Sequence, residues 1–170
     1  SGHFQWASFL LTPTGLNPTP VLSSAQPLGL GYLGRKGNLK ISHDRKILVS
    51  HHTTYSGAGG ALDISGFDAS TGQIQHKFNY EIHSSSDLAR GIYGVEFSPD
   101  SKLLYSTVYK DSAWSYLYQF DLTRNDSLGF ANSGIIIDTC KAFTLQLAPD
   151  GKIYASQSDF WDNQPGVYRY

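Results

Sequence analysis

Methionine is absent from this 170-residue chain, cysteine occurs once, and no basic run or long apolar run is present. A chain with no methionine even at position 1 is expected to be a processed product or an excised piece of a longer protein, and Ser1-Gly2 matches the scar left by cloning. The lone Cys140 excludes an internal disulfide, and no Cys-x-x-Cys metal pattern exists. Charged residues are 16% of the chain, against a usual ~25%. With a net charge of −1, binding to nucleic acid by counterion release has no basis. No apolar stretch approaches the ~20 residues of a helical membrane span.

What is present points to strands. Hydrophobic residues make up 40% of the chain, enough for a sizeable core, and aromatics make up 14%. Tyrosine and phenylalanine enrichment beside 17 glycines favours strands joined by tight turns. No segment sustains a 3.6-residue period with caps, so almost no helix is expected.

Three segments are copies of one another: Asn38–Ser50, Gly94–Ser106 and Thr144–Ser156. Their turn aspartates Asp44, Asp100 and Asp150 stand 56 and then 50 residues apart. A period near 50 residues with strand-turn-strand content marks a repeat array or propeller. Each copy opens with an alternating strand, as in Val95 and Phe97 against Glu96 and Ser98. In Ser98-Pro-Asp-Ser-Lys102 the proline presets a turn and the aspartate can bond nearby backbone N–H groups. A second strand follows (Ile47–Ser50, Leu103–Val108, Ile153–Ser156), and then a variable loop. Third strands echo one another in Asp63–Asp68, Tyr116–Asp121 and Val167–Tyr170. Turns at Ala69–Gly72 and Thr123–Gly129 lead to fourth strands near Ile74–Phe78 and Gly134–Ile137.

The expected fold is therefore all-β: a partial β-propeller of a little over three four-stranded antiparallel blades, strands a to d. Residues 1–29 supply strands c and d of a preceding blade, from Phe4–Leu11 and Val21–Ser24. Residues 30–80 and 81–138 form one blade each, and 139–170 supply strands a to c of a further one. That makes 13 strands, fewer than the four to eight blades of a closed ring need. The remaining blades of a larger propeller, or a homo-oligomer, are the expected structural partners.

The run Tyr93-Gly-Val-Glu-Phe-Ser-Pro-Asp100, with Leu117–Leu122 and Leu145–Tyr154, resembles WD40-like and YVTN-type propeller repeats. In this order the motifs are similar to the propellers of secreted Bacteroidota proteins associated with gliding motility and type IX secretion. The resemblance spans roughly residues 30–170. It implies a secreted or cell-surface bacterial location. It supplies no catalytic residue.

In such a blade the b–c and d–a loops share one face. The b–c loops carry Tyr55, then Tyr109 and Trp114, then Phe160 and Trp161, with Asp111, Asp159, Asp162 and Asn163 beside them. The d–a connections His83–Tyr93 and Asp138–Phe143 join that face. Aromatic faces beside hydrogen-bonding groups suit sugar rings or protein hot spots, while any single ring more often packs onto the base of its loop. These eight residues, Asn163 aside, are the candidate ligand-binding set. Lys40, Glu96 and Gln146 occupy equivalent places in strand a and are candidates to line a central channel or to make polar contacts between blades. His51 and His52 are adjacent and point to opposite faces of a strand, poor geometry for one metal, although His83 and Asp87 lie on the same loop face. Ser56–Gly60 is glycine-rich but lacks the Lys-Ser/Thr of a phosphate loop. Cys140 reads as a small packed residue. Asn125-Asp-Ser127 is a formal N-glycosylation sequon. Asp111-Ser-Ala113 and Asp126-Ser-Leu128 resemble Bacteroidota O-glycosylation sites.

Two functions remain in view. One is a non-catalytic module binding protein or glycan through the loop face, with no cofactor. The other is a lactonase-like propeller hydrolase or lyase with a metal near the axis. Lys40 in an axial position disfavours the second, because a lysine repels a cation.

Overall fold

The computed structural model describes residues 5–25, 38–53, 59–83, 91–109 and 114–157. The chain opens with β1 (Gln5–Ser8), the two-residue β2 (Leu11–Thr12) and β3 (Gly15–Leu16), and β4 (Val21–Ser24). Then come β5 (Leu39–Ile41), β6 (Ile47–Thr53), β7 (Gly59–Asp68) and β8 (Gln73–His83). A second set follows: β9 (Gly91–Phe97), β10 (Leu103–Tyr109), β11 (Ser115–Asp121), helix α1 (Ser127–Asn132) and β12 (Ile135–Cys140). Last come β13 (Ala142–Leu147) and β14 (Ile153–Gln157).

The fold is all-β. Strands β5 to β8 form one four-stranded antiparallel meander, and β9 to β12 form another. Strands β13 and β14 pair with each other, as do β1 and β4. None of these sheets is closed. The outer strands run further than the sequence pattern suggests: β8 reaches His83 and β12 reaches Cys140, so boundaries at 80 and 138 fall inside strands. The expected third strand at Val167–Tyr170 lies outside the described residues.

The repeated turn has one chemistry. In the first copy the Ser42 hydroxyl donates to Asp44 Oδ1 (2.6 Å), and that same oxygen accepts from the Lys46 N–H. In the second, Ser98 donates to Asp100 (2.6 Å), which accepts from Lys102 N–H. In both, the serine oxygen also accepts the first N–H of the next strand, from Ile47 and Leu103, at 2.9 Å. The third copy keeps the Asp150–Lys152 bond but has Ala148 in place of the serine. The residue after each aspartate is left-handed: Arg45 at φ 60°, Ser101 at 62° and Gly151 at 78°. Only glycine holds that conformation without steric cost. Adjacent turns touch, since Asp44 N–H donates to Ser101 Oγ (3.1 Å). Period-56 identity in the sequence thus becomes side-by-side stacking of the turns.

The core lies between the two four-stranded sheets. Val49, Leu62 and Ile64 on one face meet Ile92, Val95, Phe97, Leu104, Val108 and Phe120 on the other. Helix α1 is a departure from the expected plain turn between strands c and d. Asp126 caps it by accepting from Gly129 N–H (2.7 Å), and the helix delivers Phe130 into the core. Phe130 stacks on Phe120 with centroids 4.7 Å apart and touches Phe78 and Tyr80 at 5.6 Å each. Six residues are far too few for independent helical stability, so the buried ring, not helix propensity, holds this turn of helix.

Strands β13 and β14 dock on the second sheet through a close backbone approach. Thr107 Oγ1 accepts from Gly94 N–H and donates to Phe143 O, both at 2.7 Å. A Cβ at Gly94 would meet Phe143 O at 2.6 Å, so glycine is required there.

Candidate functional site

The first strands of three sheets bring Lys40, Glu96 and Gln146 together. Lys40 Nζ donates to Glu96 Oε2 at 2.7 Å and to Gln146 Oε1 at 2.9 Å. Glu96 Oε2 also accepts Leu147 N–H at 2.8 Å, and Oε1 accepts Phe97 N–H at 3.0 Å. Gln146 Nε2 returns a bond to Leu147 O at 3.0 Å. Glu96 is 2% exposed. Burial pushes its carboxyl up, but Lys40 and the two backbone N–H groups outweigh that and hold it below the ordinary value. The carboxylate and the ammonium therefore neutralise each other and tie three sheets at one point. That geometry supplies a structural clasp, with both carboxylate oxygens already engaged.

The second place is the opposite end of the strands from the aspartate turns. Tyr93 near the start of β9, Tyr109 at the end of β10 and Phe143 in β13 form a triangle of rings. Centroids lie 6.1 Å apart for Tyr93–Tyr109, 5.6 Å for Tyr93–Phe143 and 5.8 Å for Tyr109–Phe143. Tyr93 is 40% exposed. Tyr109 pairs with Ser115, which puts Trp114 one residue further along at the same end. Trp114 is 43% exposed, with Lys141 Nζ 5.7 Å from its ring centroid. Of the expected ligand set, Tyr109 and Trp114 are thus brought to one end. Tyr55, Asp111, Asp159, Phe160, Trp161 and Asp162 lie outside the described residues, as do Asp87 and Asn163. Tyr93 and Phe143 complete the triangle without having been picked out singly. The signal was an aromatic residue immediately ahead of the repeat in two of its three copies, where the first copy has Gly37.

Strand alternation separates the two histidines as expected. His51 is buried on the core side, and burial, then the neighbouring His52, depress its pKa to about 4 despite a hydrogen bond to the Ile92 backbone. Its Nδ1 has no partner among the described residues. His52 is half-buried on the other side, where its Nε2 meets Ser50 Oγ at 2.9 Å, and burial lowers its pKa too.

That second side is polar. Asp63 Oδ1 accepts from Ser65 Oγ at 2.8 Å and faces His76 Nδ1 at 3.2 Å, and Asp63, Ser65 and Ser50 are all buried. Further along, β4 approaches β8 through Ser23, whose oxygen accepts Ile74 N–H and donates to Gln73. A buried carboxylate needs such partners. Among the described residues no three His, Cys, Asp or Glu side chains are grouped to hold a metal.

Two minor sites resolve simply. Cys140 is half-buried and burial raises its thiol pKa, the opposite of an activated nucleophile. Asn125 is exposed, but the Ser127 hydroxyl donates to Asn79 O at 2.7 Å and so is engaged in the fold. Comparison with protein-family models and with curated proteins returned no match.

Proposed function

We propose that the chain is part of a β-propeller in a secreted or cell-surface bacterial protein, and that it is a non-catalytic binding module. Its ligand is a glycan or a protein, taken at the aromatic end, with glycan the favoured class. The observation behind this is the Tyr93–Tyr109–Phe143 triangle with exposed Trp114 at the same end. Exposed ring faces with phenol hydroxyls match the alternating C–H and O–H surfaces of a pyranose. The same end carries the b–c and d–a connections, whose sequences vary between repeats while each aspartate turn keeps its aspartate and the lysine two residues on, and variable loops on a rigid scaffold are where binding usually resides.

The propeller reading is supported by the equivalent turns, by first strands that converge at Lys40, Glu96 and Gln146, and by two consecutive four-stranded meanders. It expects a ring completed by further blades or by further copies. On that reading Lys40 would face the axis, where its ammonium repels a cation, and this ranks the binding reading above the hydrolase.

A panel of immobilised polysaccharides tests this. The chain should be retained by at least one of them, and the double variant Tyr93→Ala/Trp114→Ala should lose that retention while melting within a few degrees of the parent. A melting loss of many degrees would make the rings structural. Retention unchanged in the double variant would overturn the assignment of the site.

A further inference from the structure

Strand β9 enters its sheet through a bulge. Ile92 pairs with Val108 and Val95 with Ser106, so Tyr93 and Gly94 together stand opposite the single Thr107. A bulge bends a strand and re-aims a side chain. Here it leaves Tyr93 exposed while Ile92 and Val95, on either side, are fully buried. Gly91–Tyr93 are therefore a short lever, and Tyr93 is the ring it carries into the triangle with Tyr109 and Phe143.

A side chain of the other four-stranded sheet grips this lever. The buried His51 ring is hydrogen-bonded to the Ile92 backbone. Its Nδ1 has no partner among the described residues, so Nε2 makes that bond. The approach is close: a Cβ on Gly60 would meet Ile92 N at 3.0 Å and Ile92 Cγ1 at 3.1 Å. A neutral imidazole suits this site. An imidazolium brings a second N–H with no acceptor and a charge that needs a counter-ion. Among the described residues none is placed to serve. His52, next on β6, is turned to the far side of the sheet, where Asp63 and Glu81 also lie. Leu62 is opposite His51 on β7, with the Tyr80 phenol beyond it on β8. Lys40 of β5 shares the core side, and Glu96 of β9 is already tied to it. From β10 comes the uncharged Val108.

We propose that His51 is an acid-sensitive latch on the entry of β9. Neutral, it pins Ile92 and keeps Tyr93 in the aromatic triangle; protonated, it releases the lever, which swings at the bulge. The latch rests on strand geometry alone, whatever binds the aromatic end. In the open form the ring meets water and its pKa returns from about 4 to 6.5. The closed form therefore loses stability as pH falls from 6.5 to 4, and opening should be about 30-fold more favourable at pH 5 than at pH 7.5.

Amide hydrogen exchange on the whole chain, read by NMR and corrected for intrinsic rates, tests this. Protection over Gly91–Tyr93 should be weaker than at Phe97, insensitive to dilute urea, and about 30-fold lower at pH 5 than at pH 7.5. His51→Gln can keep a bond to Ile92 but cannot take up the proton, so its protection there should not follow pH. His51→Leu, which suits an apolar site, should lack the pH dependence as well and give faster exchange at pH 7.5. Protection over Gly91–Tyr93 that matches Phe97 and erodes equally in urea would overturn the latch. So would protection in the parent chain that ignores pH, or a pH dependence that persists undiminished in both variants.

Discussion

Acidification should destabilise this protein through His51 before its carboxylates are titrated. The imidazole is buried on the core side of β6, opposite Leu62, and its Nδ1 has no partner among the described residues. Adding a proton there places a charge in an apolar surrounding. The pKa falls from 6.5 to about 4 on folding, chiefly by desolvation. The unfolded chain therefore binds the proton first as pH drops. Stability is whole above pH 6.5, declines as pH falls from 6.5 to 4, and loses nothing further from this group below that. A tenfold difference in proton affinity between the two states is worth about 1.4 kcal/mol, so the full loss is about 3 kcal/mol. His52 moves in the same direction and adds to it. The lowered carboxylates, Glu96 among them, contribute acid losses only below about 4.5. Urea unfolding at half-unit steps from pH 7.5 to 4 reads this directly, as roughly 1 kcal/mol per pH unit at the steepest. In His51→Leu the slope over this range should shrink to the contribution of His52. Parallel acid limbs in parent and variant would refute the reasoning.

Other outcomes follow from packing and turn chemistry. Phe130→Ala removes the ring that pins α1 and should cost roughly 3–5 kcal/mol in urea unfolding, because the cavity is lined by Phe120, Phe78 and Tyr80. Lys40→Ala leaves the Glu96 carboxylate buried without its cation and should cost roughly 3 kcal/mol at pH 7, a penalty that narrows at acid pH as Glu96 is protonated. Ala148→Ser restores the hydroxyl that the other two turns use and should stabilise by up to about 1 kcal/mol, whereas Gly151→Ala, at φ 78°, should destabilise by about 1 kcal/mol. Differential scanning calorimetry separates the signs of that last pair.

How legible this was in the sequence varied by element. The turns were the clearest, because Ser-x-Asp followed by a lysine two residues on sets a local hydrogen-bond pattern that needs no tertiary partner. The strand order followed from the same repeats, and Val21–Ser24, expected as the strand d after an aligned strand c and turn, emerges with those bounds. Helix α1 was illegible as a helix: it is six residues long and depends on a long-range ring contact that no local pattern encodes. The polar side of the first four-stranded sheet was visible only in retrospect. Asp63 and Ser65 alternate with Leu62 and Ile64, a pattern that equally describes a solvated face, and only the fold reveals that Asp63 is buried against His76 and Ser65. Lys40, Glu96 and Gln146 were found by equivalence, but their ion pair was not, because charge complementarity between strands more than 50 residues apart has no signature in one sequence. For the aromatic end, Tyr109 and Trp114 could be named from loop composition. Tyr93 and Phe143 sit inside strands, where aromatic residues ordinarily signal packing.

Whether binding occurs at the aromatic end of the strands is read most directly by amide chemical-shift mapping, with the isotope-labelled chain titrated with the polysaccharide that retains it on the panel. Shifts should cluster on Tyr93, Tyr109, Trp114 and Phe143, with Asp44, Asp100 and Asp150 at the far end unmoved. Shifts centred on the aspartate turns, or on Lys40, Glu96 and Gln146, would contradict binding at the aromatic end.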